Sequence, residues 1–331
     1  MSNEVQPGGV LSPSEDDPRP TDDAGSRSKT ETRSPRAVKY IKGTVLGRGG
    51  YGTVYKVRRV SDGMIFAGKA SKSLRGLEHE ANALRSLNHE NILRLVELYR
   101  DPENPSAAIL ITEWCPYGTL QERIDQATPN MDKSEIKQVM IQISDALTYL
   151  HDEKRLYHRD VKPRNILIRG LHPFSVILAD CGDVRRLESK GSLRGTPQYY
   201  SPEILQYKRH YGSGDDVWAL GVTLAGMLRQ CPQFRLSDKI VTNNNDDAAE
   251  ELRKWPHRLQ NHVQQLLALN PRHWLVRTMA EMLAWEVDER ISAAACAEAF
   301  RVLNEESMGE PGKPWDFGIA SPEGFKPISF W

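Results

Sequence analysis

Apolar and polar positions change rhythm several times along this chain, and each change marks an element. Residues 1–36 show no rhythm: five Pro, six Ser and only five apolar side chains stand among seven acidic and five basic ones. Such a stretch buries too little apolar surface to offset the entropy of ordering it, so it is expected to be a disordered tail. Ser12-Pro13 and Ser34-Pro35 within it are candidate proline-directed phosphorylation sites. From Tyr40 the pattern turns to alternation. Val45-Leu46 leads into a glycine cluster, Thr53 to Val57 alternates as a strand, and Asp62-Gly63 is a hairpin signal ahead of Met64-Ile65-Phe66-Ala67. Leu74, Leu77, Ala81, Leu84 and Leu87 recur at helical spacing, which predicts an amphipathic helix over 73–88. Ile92 to Leu98 and Ala108 to Thr112 read as two more strands. A small lobe of five strands and one helix then ends near Glu113.

Helical spacing dominates past that point. Ile136, Met140, Ile143, Leu147 and Leu150 make one stripe, and Asp216 to Leu228 is so apolar that it must lie inside a core. Residues 274–305 carry further helical pattern, while Asn243 to Asp247 reads as a polar surface loop. From about residue 309 the chain is rich in Gly, Pro and aromatics, among them Trp315, Phe317, Phe325, Phe330 and Trp331. No regular structure is expected there, but those rings need a surface to cover, either the chain's own core, which is the simpler reading, or a partner.

Composition narrows the setting. The 331 residues are 39% apolar, enough for a sizeable core, and 44 Lys and Arg balance 44 Asp and Glu. No net field steers the chain onto nucleic acid or an anionic membrane. The longest apolar stretch, Trp218 to Leu228, falls well short of the about 20 residues a membrane span needs. No apolar run lies near the N-terminus, so no secretory signal is expected. Cys115, Cys181, Cys231 and Cys296 form no C-x-x-C pair, which argues against a disulfide framework or structural zinc. The expected setting is intracellular, cytoplasmic and/or nuclear.

Against that background a set of polar residues stands out. Gly47-Arg48-Gly49-Gly50-Tyr51-Gly52 followed by Val54 is G-x-G-x-x-G-x-V, whose glycines let backbone N–H groups approach phosphates. A dinucleotide fold uses the same glycines between strand and helix; here strand continues, which favours a hairpin lid. Lys69 follows the strand Ile65-Phe66-Ala67, and Glu80 lies on the next helix. Taken alone they are two surface charges. The strongest signal is Tyr157-His158-Arg159-Asp160-Val161-Lys162-Pro163-Arg164-Asn165-Ile166-Leu167. In this spacing Asp160 can orient a hydroxyl and accept its proton, Lys162 can neutralise a moving phosphoryl group, and Asn165 can hold a metal ion. The apolar strand Val176 to Ala179 then delivers Asp180-Cys181-Gly182, with Asp180 placed for magnesium.

Over about residues 40–305 the chain resembles the eukaryotic-type serine/threonine protein kinases. Gly195-Thr196-Pro197-Gln198-Tyr199-Tyr200-Ser201-Pro202-Glu203 resembles their substrate-docking segment, Asp216-Val217-Trp218 with Gly221 their buried helix, and Arg290 the partner of Glu203. These later motifs are what small-molecule phosphotransferases lack, and Lys162 favours Ser/Thr over Tyr specificity. The resemblance implies an α+β, bilobal fold: a small five-stranded β lobe with one helix, and a larger mainly helical lobe. The expected divisions are a tail over 1–36, a kinase domain over 37–305 (small lobe 37–113, hinge 113–118, large lobe 119–305) and an aromatic tail over 306–331. It implies ATP and Mg2+ as cofactors, with protein substrates, no nucleic acid or membrane partner and a monomeric state. Asp160, Lys162 and Asn165 would be catalytic, and Asn165 and Asp180 would hold the metal. Gly47 to Gly52, Val54, Ala67, Lys69, Glu80, Thr112, Glu113, Cys115, Leu167 and Asp180 would contact nucleotide, and Thr196 would position the peptide.

Several positions depart from the family pattern. Cys181 replaces a phenylalanine whose ring would pack with Leu84, Leu95 and His158, so that column should be looser and the active arrangement less favoured. A catalytically impaired pseudokinase scaffold is therefore the alternative reading. The Asp316-Phe317-Gly318 of the tail lies too far along the chain to serve as the metal motif. Thr112 occupies the gatekeeper position. Thr119 and Arg164 stand where arginine-directed kinases carry acidic groups, which implies no strong preference for an upstream arginine. Arg159 implies switching by an upstream kinase at Ser192 or Ser189; the alternative is that Arg185, Arg186, Lys190 and Arg194 are solvated charges and the loop needs no phosphate.

Overall fold

A computed structural model describes residues 39–50, 52–101, 107–126, 131–184, 195–207, 212–234, 246–303 and 315–318. The tail 1–36, Tyr51, Ser189, Ser192 and the arginines and lysine near them lie outside the described residues.

The alternation after Tyr40 becomes five antiparallel strands. β1 (Tyr40–Gly49), β2 (Gly52–Arg59), β3 (Ile65–Ala70), β4 (Leu95–Arg100) and β5 (Ala108–Thr112) lie side by side in the order β1-β2-β3-β5-β4. β5 is buried throughout, because successive side chains serve opposite faces. Ile109 and Ile111 join Tyr40, Val57 and Phe66 in a small cluster, whereas Ala108 and Leu110 face the main core. That core includes Leu77, Ala81 and Leu84 of helix α1 (Leu74–Arg85). Ser73 caps α1, its Oγ accepting from Gly76 N at 3.0 Å, and Ser86 Oγ closes the other end on the Ala83 carbonyl. The helix is thus shorter at both ends than the expected 73–88. β4 begins later than the expected Ile92: that residue makes only an isolated parallel bridge to Leu178.

The larger part is helical. It comprises α2 (Leu120–Asp125), α3 (Lys133–Thr148), the antiparallel pair β6 (Ile166–Leu171) and β7 (Phe174–Leu178), α4 (Pro202–Tyr207), α5 (Ser213–Met227), α6 (Asp246–Leu269), α7 (Trp274–Met282) and α8 (Ala293–Arg301). The fold is α+β. Helix α5 is buried on every side from Asp215 to Met227, as its unbroken apolar run requires. Around it pack Leu259 and Val263 of α6, Val276 and Met279 of α7, and Met140 and Leu147 of α3 in the same core. Two expectations need correcting. Asp246 and Asp247, read as loop, open α6, and the helical pattern over 274–305 resolves into two helices either side of residues 283–292. In the C-terminal segment 315–318, which has no helix or strand, Phe317 is buried against His273 with ring centroids 5.3 Å apart. Asn270 Nδ2 donates to the Phe317 carbonyl at 2.8 Å. Its role is packing, as its distance from the metal motif implied.

Candidate active site

The site begins with the hairpin between β1 and β2, where Gly47 faces Val54 and Gly49 faces Gly52. Among the described residues a side chain added at Gly47, Gly49 or Gly50 would meet nothing within 4 Å, and these positions line the cleft. Gly52 is needed for another reason: its φ is 142°, and a Cβ there would collide with the Ala70 carbonyl at 2.2 Å. Tyr51 is outside the described residues.

The register of β3 puts Lys69 opposite Val54 on one side and Leu110 on the other, with its ammonium aimed at α1. Lys69 Nζ lies 2.8 Å from Glu80 Oε2 and 2.9 Å from Asp180 Oδ1. Burial works against the Lys69 charge, but Asp180 and Glu80 outweigh it and hold its pKa above the ordinary lysine value. Burial also acts to raise the Asp180 carboxyl; there the Lys69 ammonium wins and the group stays below the usual carboxylate range. For Glu80 burial dominates and raises it. Lys69 and Glu80, which taken alone read as two surface charges, form a largely buried pair. Asp180 itself has φ 61°, a left-handed turn that re-aims the chain after β7.

Asp160, Lys162 and Asn165 form a second cluster. Lys162 Nζ bridges Asp160 Oδ2 at 2.6 Å and Thr196 Oγ1 at 2.7 Å. Asn165 Nδ2 donates to the Asp160 carbonyl and to Asp160 Oδ2, both at 2.8 Å. With its amide nitrogen spent, Asn165 has its carbonyl oxygen left for another partner. The loop is fixed from beneath by α5. The backbone N–H groups of His158 and Arg159 each donate to the Asp216 carboxylate at 2.8 Å, and His151 Nε2 meets the same carboxylate at 2.8 Å. Burial acts to raise Asp216, yet these donors, His151 foremost, keep it below its ordinary value. His158 Nε2 in turn meets the Ala179 carbonyl at 3.0 Å, tying the loop to the segment that carries Asp180.

Lys162 and Asn165 of the second cluster line one cleft of about 730 Å³ with Lys69, Glu80 and Asp180 of the first. Val54 and Ala67 line it, with Leu167 of β6 and the segment Thr112, Glu113 and Cys115. Thr112 is buried, with its hydroxyl on the Glu113 carbonyl, and Glu113 Oε1 accepts from Arg94 N at 2.8 Å. Burial pushes the Cys115 thiol up to about 12, so it stays protonated. Asp180 and Asn165 offer hard oxygen donors. No group of three His, Cys, Asp or Glu side chains that could hold a metal by itself occurs among the described residues. Magnesium, which keeps water and phosphate ligands and needs only one or two protein oxygens, fits that donor set.

The sequence motifs left part of the cleft unmarked. Gln121, Ile124, Val222, Gly226, Cys231 and Phe234 also line it, and they come from α2, α5 and the segment after α5. No local pattern joins residues so far apart in the sequence. Cys181 is fully buried in the core with Leu84, and Leu95 packs against the same cluster. The Lys69–Glu80 pair is nevertheless formed despite the smaller side chain. Glu203 and Arg290 pair as anticipated, with contacts of 2.6 and 3.1 Å, and the Arg290 side chain is wholly buried.

Among the described residues no helix is long and apolar enough to cross a membrane. The chain matches the family described as protein kinase domain over residues 40–300. It is similar to a probable serine/threonine-protein kinase of Zea mays, 30% identical over 255 residues, or 72% of this chain and 39% of that protein. It is also similar to serine/threonine-protein kinase 36 of Pongo abelii, 29% identical over 72% of this chain and 18% of the relative. The interferon-induced, double-stranded RNA-activated protein kinase of Mus musculus is 35% identical over 59% of this chain and 40% of its own length. The matched region is thus less than half of each of these relatives. A match spanning residues 40–300, on a fold with this sheet, this buried helix and these paired charges, makes the chain a member of the protein kinase family.

Proposed function

We propose that this chain is a catalytically competent serine/threonine protein kinase that transfers the γ-phosphate of ATP to hydroxyl groups of protein substrates. The observation that carries this reading is the meeting of Asp160, Lys162, Asn165 and Thr196 within hydrogen-bond distance, with Lys162, Asn165 and Thr196 lining one cleft together with Lys69, Glu80 and Asp180. Lys69, held by Glu80, binds the α and β phosphates, and the open glycine backbone of the β1–β2 hairpin covers them. Asn165 and Asp180 would hold magnesium, which when bound neutralises phosphate oxygens and orients them for in-line transfer. Asp160 orients the substrate hydroxyl and accepts its proton, while Lys162 meets the charge of the transferring group. Rate enhancement in such a site is positioning and electrostatics. Ser/Thr preference is supported by Lys162, two residues past Asp160, and by the printed names of the relatives in Zea mays and Pongo abelii. Ser192 and Ser189 are the candidates for an upstream kinase, with Arg159 as the phosphate's partner.

Transfer of labelled phosphate from Mg-ATP to a generic protein, followed by phosphoamino-acid analysis, tests the reading. Wild-type protein should label Ser and Thr, and Asp160→Asn should lower the rate at least 100-fold while ATP binding persists. ATP binding by the wild type without transfer, before and after treatment with an upstream kinase, would instead support the scaffold reading that Cys181 raises.

A further inference from the structure

The segment Glu113–Cys115 is gripped from two sides by the small lobe. On one side Arg94 N donates to Glu113 Oε1 at 2.8 Å, and Glu113 N donates to the Arg94 carbonyl at 3.1 Å. On the other, Lys56 Nζ of β2 stands 4.1 Å from the centroid of the Trp114 ring. The strand register accounts for this second grip. Lys56 pairs with Ala67 of β3, and Ala67 pairs with Thr112 of β5, so the three lie in one row on one face of the sheet. Strands are about 4.8 Å apart and Ala67 is small, which leaves the long Lys56 side chain a way across to the ring just past Thr112. Val54, two residues nearer the glycines, shares that face of β2 and lines the cleft. Towards the large lobe the chain is held again at once. Tyr117 N donates to the Ile168 carbonyl at 3.3 Å, and Ile168 N to the Gly118 carbonyl at 2.9 Å. Between the two holds lie Cys115 and Pro116, and a proline fixes its own φ and keeps the residue before it extended.

We propose that Lys56 on Trp114 is a positioning clamp, which sets the distance between the glycine hairpin and the Glu113–Cys115 backbone and so prepares the cleft for a ligand carrying an adenine ring and phosphates together. The inference rests on the proposed ATP site and adds to it a pair of residues that act through the hairpin. A base against Glu113–Cys115 and phosphates under Gly47, Gly49 and Gly50 engage both ends of the span that the clamp fixes. With the clamp formed, that span is set before the ligand arrives. Without it the ligand must order the hairpin itself, and affinity falls by that cost. A ligand with no phosphates makes no call on the hairpin, so its affinity is independent of the clamp.

Isothermal titration calorimetry of the full chain with Mg-ATP and, separately, with adenosine tests the clamp through the ratio of the two affinities. Lys56→Met and Trp114→Leu should each lower the ATP-to-adenosine ratio about three- to fivefold, as loss of a half-buried cation–π pair implies. The double variant should lose no more than either single one, because both remove the same contact. Lys56→Arg should keep the wild-type ratio, since a guanidinium also stacks on indole. An effect of the Lys56 charge alone would leave the ratio unchanged in Trp114→Leu. Thermal denaturation checks that each variant folds. A ratio unchanged in either single variant, losses that add in the double variant, or a wild type that binds no nucleotide overturns the clamp. Labelled phosphate transfer is measured on the same samples. The expected ratios without transfer would keep the clamp and remove the kinase reading, whereas transfer with unchanged ratios would do the reverse.

Discussion

Asp215 shows how one side chain can make this fold sensitive to pH. Its carboxylate sits in the first turn of α5, 4% exposed, accepting from the Ser201 hydroxyl and from Gly212 N at 2.6 Å. Burial and the neighbouring Glu203 carboxylate push its pKa up to about 7, against the Ser201 and Gly212 donors. A raised pKa means the folded state holds a proton that the unfolded state releases. Stability therefore falls as pH rises from the unfolded value near 4 toward about 7, and levels beyond. Asp215→Asn keeps the shape and can still accept from Gly212 while donating to Ser201. At pH 8 it should be more stable than the wild type by about 1–3 kcal/mol, with little difference at pH 4. Thermal denaturation across that range checks it, and parallel curves for the two proteins would show Asp215 ionised throughout.

At the scale of elements, local signals succeed where the chain satisfies itself and fail where a distant partner decides. Helix α3 is a case of the first kind. Asp132 caps it with Glu135 reaching back to Asp132 N at 2.7 Å, and its apolar stripe from Ile136 to Leu147 is buried as its spacing requires. Asp132→Ala should cost about 1 kcal/mol, visible as a lower denaturation midpoint with an unchanged slope. Strand β4 is of the second kind. Ile92 to Leu98 looks like one extended run, but Ile92 and Leu93 are drawn to β7: Leu93 N donates to the Leu178 carbonyl at 2.9 Å, so the ladder with β5 starts only at Leu95. Helix α6 carries Pro256 inside it, a residue that removes a helical donor, and its first residues are polar. Its pattern alone reads as a break. The segments around Asp160 and Asp180 were legible because the chemistry expected of them demands fixed spacings within one stretch. The part of the cleft lining made by Ile124, Gly226 and Phe234 was not, since these residues meet only through folding.

The molecule as a whole is held by long-range ties that end on α5 and on the C-terminal segment. Arg290 binds Glu203 and also donates to the Gly214 carbonyl at 2.9 Å, joining the residues after α7 to α4 and to the start of α5. The segment at 315–318 closes over α6 and α7, with Phe317 3% exposed and Trp274 between Trp315 and Phe300 at centroid distances of 6.2 and 5.3 Å. Phe317→Ala should therefore destabilise the protein by about 3 kcal/mol, measured by denaturant unfolding. An unchanged midpoint would show that the segment is not docked in solution. The continuity of the cleft has a consequence of its own. The segment Glu113–Cys115 and the end of α5 at Gly226 line a single volume, and Lys162 lines it too. One rigid compound can therefore be anchored at both ends, and the second end then binds without a fresh loss of translational freedom. Such a compound would exclude any ligand seated at either end of the cleft.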